Sequence, residues 1–125
     1  YLGTVATATG DTLASEIGTT AKAKPRMITS LKSTEPGTDG AISVLGEIAS
    51  LLGSMCIGLL AYFFGMIDNL LLALMISSAG GFIGTNIDSL IGATIQKKHL
   101  LSNSGVNFVA TFAGAIVAGS LYFFI

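Results

Sequence analysis

Two carboxylates, Asp11 and Glu16, are followed by four bases, Lys22, Lys24, Arg26 and Lys32, and then by a tight turn, Pro36-Gly37-Thr38-Asp39-Gly40. Oxygen ligands for a hard cation, positive charge for an anion and a glycine-rich turn, in that order, point to metal and phosphate chemistry. Nine of the thirteen Asp, Glu, Lys and Arg residues lie between Asp11 and Glu47. Beyond Glu47 the chain is almost wholly apolar. On a helix Ser15 shares a face with Asp11, whereas Glu16 is about 140° further round, so the two acids meet only across a distorted helix or a bridging ion.

Gly37 and Gly40 tolerate positive φ, which lets successive N–H groups converge as an anion nest, and Thr38 and Ser43 add hydroxyls. Arg26 and Lys32 are the bases placed to hold phosphates, Arg through paired hydrogen bonds. Glu47 and Asp88 lie at the same level as the basic residues. Acids at membrane depth are costly and functional by default, and several at one level repel unless a cation or a base joins them. Mg²⁺ suits such a site because it takes one or two carboxylates together with substrate phosphates. The plainer alternative pairs Asp11 and Glu16 with Lys22 or Arg26. His99, without a second His or a Cys nearby, makes no zinc site, and Cys56 reads as a small apolar filler. GxxxxGK[ST], GxGxxG and nucleophile-elbow patterns are absent, which excludes the familiar soluble nucleotide-binding architectures.

The elements that must position these residues are transmembrane helices. Hydrophobic residues make up 51% of the chain and charged ones 10%, with a mean hydropathy of +0.77. That composition is outside the soluble range. Ile48–Ile67, Leu70–Ile87 and Val106–Ile125 carry no charge and approach the ~20 apolar residues a bilayer crossing needs. The expected fold is all-α: a polytopic transmembrane helix bundle, one domain over 1–125, with helices at about 1–19, 42–67, 70–96 and 105–125 and a long cytoplasmic loop over 21–41. That loop is either functional or a solvated linker. Tyr1–Gly10 is half a span, so the chain is expected to be the C-terminal part of a protein with further N-terminal helices. Bases in both the 21–41 and 97–99 segments place those loops in the cytoplasm by the positive-inside rule, in a multi-pass protein of a prokaryotic plasma membrane.

Gly46, Ser50, Ser54 and Gly58 form a small-residue stripe that serves either homo-oligomerisation or packing within one chain. Gly80, Gly81 and Gly84 either pack tightly or let the third segment unwind. A net charge of −1 gives no indication of a nucleic-acid partner. The expected partners are membrane lipids and a lipid phosphate.

The strings Ala8-Thr9-Gly10-Asp11-Thr12-Leu13-Ala14-Ser15-Glu16-Ile17-Gly18, Lys24-Pro25-Arg26-Met27-Ile28-Thr29, Pro36-Gly37-Thr38-Asp39-Gly40-Ala41-Ile42-Ser43 and Asp88-Ser89-Leu90-Ile91-Gly92-Ala93-Thr94-Ile95-Gln96 resemble the integral-membrane family that contains plant phytyl-phosphate kinase and animal transmembrane protein 19. The resemblance implies a membrane kinase that converts an isoprenoid-alcohol monophosphate, phytyl or polyprenyl, to the diphosphate at the cytoplasmic face, with CTP or ATP as donor. Carried over by position, Asp11, Glu16 and Asp88 would be catalytic and metal-binding. Ser15, Arg26, Lys32, Gly37, Thr38, Gly40, Ser43 and Gln96 would hold substrate or phosphate. Asp39-Gly40-Ala41 departs from the Asn-Gly-Gly that relatives often show. The rival readings are a transporter or flippase of a phosphorylated lipid and a non-catalytic membrane scaffold.

Overall fold

Lipid tails are as apolar as leucine, so helices in a bilayer gain nothing by hiding large apolar side chains from one another and associate through close van der Waals contact instead. The computed structural model, which describes residues 1–125, is built on that logic. Its helices are α1 (Leu2–Gly18), α2 (Val44–Phe63), α3 (Leu70–Thr94) and α4 (Asn103–Phe124), with two short strands, β1 (Arg26–Met27) and β2 (Ala41–Ile42), between α1 and α2. The buried apolar residues are six alanines with Ile76 and Val106, while Leu52, Leu71, Phe108, Phe112 and Ile116 face outward. α2, α4 and α3 with its short 3-10 extension to Lys98 are each long and apolar enough to cross a membrane.

α1 and α3 form the middle of the bundle, α1 packing on all three other helices, and α2 and α4 flank the pair. Glycines set the spacing. A methyl at Gly80 would lie 2.8 Å from the Gly114 carbonyl oxygen, and one at Gly10 would lie 2.8, 2.9 and 3.0 Å from the hydroxyls of Ser50, Ser54 and Thr85. Interhelical hydrogen bonds reinforce these contacts: Thr7 Oγ1 donates to the Gly80 carbonyl at 3.1 Å, and Ser54 Oγ donates to the Ala6 carbonyl at 3.3 Å. Each such bond contributes about 0.6 kcal/mol in a membrane. The Gly46, Ser50, Ser54 and Gly58 stripe is buried inside this chain, against α1 and α3. α3 runs unbroken through Gly80, Gly81 and Gly84, so these glycines serve close packing rather than unwinding.

Helix ends obey local chemistry. Ser43, Asn69 and Ser102 cap α2, α3 and α4 by accepting from the N–H three residues on. Gly65, at φ 68°, stops α2 at Phe63: its N–H donates to Tyr62 and that of Met66 to Ala61. That is a Schellman closure, and it ends the helix four residues before the sequence-based boundary at 67.

Residues between α1 and α2 are folded rather than an open loop. Met27 N–H donates to Lys32, Thr34 N–H to Pro25 and Ile28 N–H to Gly40, and β1 pairs antiparallel with β2 in the register Arg26 to Ile42 and Met27 to Ala41. Arg26 is also bridged to Ser33. Two turns come next, head to tail. Pro36 and Gly37 (φ 83°) occupy the centre of a turn closed by Thr38 N–H on Glu35, with the signature of a type II turn, and Ala41 N–H on Thr38 closes the next around Gly40 (φ 78°).

The glycine seam makes a differential prediction. Gly114→Ala puts a methyl against Thr7 and the carbonyls of Gly80 and Gly3, whereas Gly119→Ala meets nothing within 4 Å. Overpacking should cost the first variant about 1–3 kcal/mol. Denaturation in detergent should show a lowered midpoint for Gly114→Ala and an unchanged one for Gly119→Ala.

Candidate functional site

One end of the bundle gathers the C-terminal turns of α1 and α3 and the N-terminal turns of α2 and α4 around a polar cavity of about 270 Å³. α1 supplies Asp11, Ala14, Ser15 and Gly18, spaced i, i+3, i+4 and i+7, which is one helical face. α2 supplies Gly46 and Glu47 behind its capping Ser43; α3 supplies Asp88, Ser89 and Gly92, and its 3-10 extension Gln96; α4 supplies Asn107 and its first residue, Asn103. The Pro36–Ala41 turns close the top. Four carboxylates, Asp11, Asp39, Glu47 and Asp88, line this space, and no Lys or Arg does.

The turns reach the cavity by resting on α3. The Gly40 N–H side sits so close to Gly92 that a methyl on Gly92 would lie 3.2 Å from the Gly40 nitrogen, and a methyl on Gly40 would overlap Ala93. This contact brings Asp39 within electrostatic reach of Asp88, which Asp11 approaches separately from α1. Thr38 and Ala41 spend their N–H groups on the turns, while those of Gly37, Asp39 and Gly40 make no hydrogen bond within the chain. The expected anion nest is therefore limited to these three donors.

Three side chains in the cavity are committed. Ser43 Oγ accepts from Gly46 N–H at 3.0 Å and donates to the Gly18 carbonyl at 3.3 Å, which ties the end of α1 to the start of α2. Thr38 Oγ1 donates to the Glu35 carbonyl at 2.7 Å. Glu47 Oε2 accepts from Asn86 Nδ2 at 3.0 Å, a bond that joins α2 to α3 and aims the carboxylate. By contrast Asp88 Oδ1 is buried with no partner. One turn deeper, Ser50 Oγ and Thr85 Oγ1 are likewise buried and unpartnered around Gly10.

Of the site residues expected from sequence, Asp11, Ser15, Gly37, Thr38, Gly40, Ser43, Asp88 and Gln96 face this cavity, and Glu16, Arg26 and Lys32 do not. Glu16 is exposed because α1 stays regular to Gly18 and leaves it off the Asp11 face. Arg26 points away because the chain is extended there: Pro25 lines the cavity, and the next side chain projects to the opposite side. Its Nη1 donates instead to the Leu31 carbonyl at 3.2 Å. Lys32 is exposed at the hairpin. Lys24 pairs with Glu35 at 3.3 Å on the surface, a contact that contributes about 0–1 kcal/mol. Asn103 and Asn107 escape the sequence reading, although their i, i+4 spacing at the start of a span puts two amides on one face.

No three Asp, Glu, His or Cys side chains converge closely enough to hold a metal ion by themselves. Mg²⁺ does not require that, since it keeps several waters or substrate oxygens and takes one or two carboxylates. The unpartnered Asp88 oxygen, with Asp11 nearby, fits such a partial ligand set.

A membrane helix bundle with an acidic cavity at one end of its helices is the class these features define. The chain belongs to the family described as integral membrane protein DUF92, whose model matches residues 1–115. It is 42% identical over 123 residues to an uncharacterised membrane protein of Methanocaldococcus jannaschii, covering 98% of this chain and 50% of that protein. Two Arabidopsis thaliana proteins also match: Protein PGR, 31% identical over 98% of this chain and 54% of its own length, and Protein VTE6, chloroplastic, 32% identical over 94% and 36%. These relatives bear out the family resemblance read from the motifs. The chain spans about half the length of the curated relatives it matches. No solved structure matches it significantly.

The turn contact yields a second prediction. Gly37→Ala has open space but an unfavourable φ, which costs about 1–2 kcal/mol, whereas Gly40→Ala adds a clash with Ala93 to the same strain. Limited proteolysis in detergent should cut the 36–41 segment faster in Gly40→Ala than in Gly37→Ala.

Proposed function

We propose that this chain carries the phosphoryl-transfer site of a membrane kinase that converts an isoprenoid-alcohol monophosphate to the diphosphate, with a nucleoside triphosphate, CTP or ATP, as donor. The observation that carries the reading is the cavity itself: four carboxylates, no base, and an unpartnered Asp88 oxygen beneath a turn with three free N–H groups. An anionic wall repels a bare phosphate, so a phosphate that enters must come with a cation. Asp88 and Asp11 are the residues that would hold Mg²⁺, which when bound neutralises phosphate charge.

The acceptor in this chemistry is an oxygen of a phosphate monoester, largely ionised at neutral pH because its second pKa is about 6. No strong general base is needed. A new P–O bond forms between that oxygen and the donor's terminal phosphorus, the bond from that phosphorus to the bridging oxygen breaks, and the nucleoside diphosphate leaves with the electron pair. The chain's task is positioning and charge balance. The N–H groups of Gly37, Asp39 and Gly40 would hold phosphate oxygens at the roof, and the amides of Gln96, Asn103 and Asn107 would orient the donor from α3 and α4. Ser15 faces the same space from α1. Glu47, held by Asn86, fixes the α2 side. The setting is a prokaryotic plasma membrane with the basic loops in the cytoplasm, where nucleotide is available. The flippase reading rests on a broken third helix, and α3 is continuous.

Phosphate transfer by the purified full-length protein, given phytyl or geranylgeranyl monophosphate, Mg²⁺ and CTP or ATP, tests this reading by product mass. Asp11→Asn and Asp88→Asn should each lower turnover by about 100-fold or more, the scale of losing one electrostatic stabiliser. Glu16→Gln should leave turnover unchanged. Full activity in both Asp variants would rule out the cavity as the transfer site.

A further inference from the structure

A second concavity, a groove of about 950 Å³, lies on the other side of the β1–β2 ribbon from the acidic cavity. Its size is at the top of the range for ligand sites, about 300–1,000 Å³. Its chemistry is reversed. Three bases, Lys22, Lys24 and Arg26, rim one end, and Glu47 is the sole acid among its lining residues. Glu35 pairs with Lys24 from outside the groove, a weak surface contact in which both side chains stay mostly exposed, and Lys22 and Arg26 have no acidic partner. The floor is apolar: Val44, Ile48 and Leu51 recur at i, i+4 and i+7 along α2, with Phe82 of α3 behind them. Leu31 forms the lip, exposed and held at φ 56°, a conformation that L residues avoid. Its carbonyl accepts from Arg26, so the strained tip and the guanidinium are fixed together.

The groove and the cavity share a wall. Ile42, Ser43 and Glu47 line both, so the basic rim and the acidic cavity are separated only by the start of α2. A ligand matching this surface has a phosphate for the rim and one hydrocarbon chain for a stripe a single side chain wide, about 10 Å long over seven residues of helix. We propose that the groove is the docking site of the lipid monophosphate: Lys22, Lys24 and Arg26 receive its headgroup, Val44, Ile48, Leu51 and Phe82 receive its chain, and it reaches the acidic cavity past Ser43 and Glu47. The occupant's identity as substrate rests on the kinase reading; its binding does not. Arg26 then serves acceptor docking, outside the transfer site.

The 125 residues contain no tryptophan, so Phe82→Trp places a reporter in the groove. The full-length Phe82→Trp protein, in phosphatidylcholine nanodiscs and read against its parent, is titrated with an alkyl monophosphate brominated midway along its chain. Saturable quenching should appear, persist in Asp11→Asn and withstand excess inorganic phosphate. Affinity should fall at least tenfold in Lys22→Ala/Lys24→Ala/Arg26→Ala. Lys22→Gln/Lys24→Gln leaves the Arg26–Leu31 bond intact and should weaken binding at least threefold, which guards against misfolding of the triple variant. Equal quenching by the matching brominated alcohol, by brominated phosphatidylglycerol or by a brominated diacyl phosphatidic acid would overturn the proposal, as would reversal by inorganic phosphate or unchanged affinity in both base variants. Saturable quenching without phosphate transfer would reject the kinase and keep the groove. Transfer without saturable quenching would reject the groove and keep the kinase.

Discussion

Everything at the polar end of this bundle depends on how closely α1 approaches α3. Backbone meets backbone along Gly3, Gly80 and Gly114, and Gly10, Gly81 and Gly84 continue the seam toward the cavity with hydroxyl side chains as the only intervening bulk. Asp11 comes directly after Gly10, and Asp88 is one turn beyond Gly84. Bringing two acids together in an apolar medium is unfavourable. The seam sets their separation by packing, independently of any attraction between the side chains themselves.

Electrostatically the chain sorts its charges onto two sides of one thin partition. Four of the seven acids converge inside, and the bases of the 22–26 segment project onto the outer groove, where Glu47 is the one acid that lines both. A strand of two residues is enough for this sorting, because successive side chains of an extended backbone point in opposite directions. Pro25 and Arg26 are neighbours in sequence and belong to different compartments. On the proposed route an anion would meet the bases first and the acids second, attracted by the one and admitted by the other only together with a cation.

The spans were legible because twenty apolar residues in a row have few other uses. The face shared by Asp11 and Ser15 was legible for the same kind of reason, since helical periodicity fixes which residues share a side. Arg26 was not. Its direction depends on the phase of an irregular segment pinned by Ile42 and Ser33, and contacts that distant in sequence leave no local pattern. The glycines of α3 illustrate a different difficulty: a helix that packs tightly and a helix that unwinds both call for Gly80, Gly81 and Gly84, and only the facing Thr7 and Ser54 decide between them. Asn103 and Asn107 carried a readable spacing, but uncharged amides at the start of a span also look like ordinary helix caps.

The seating of Gly40 against Gly92 and Ala93 has a mechanical meaning. The roof of the cavity packs on α3, the helix that carries Asp88 and leads into Gln96, although in sequence the turns extend between α1 and α2. Roof and far wall therefore form one packed unit. The placement of Asp39 over Asp88 is set by this single contact, whereas the gap to Asp11 is set separately by the α1–α3 seam, so the site has two independent determinants of its geometry.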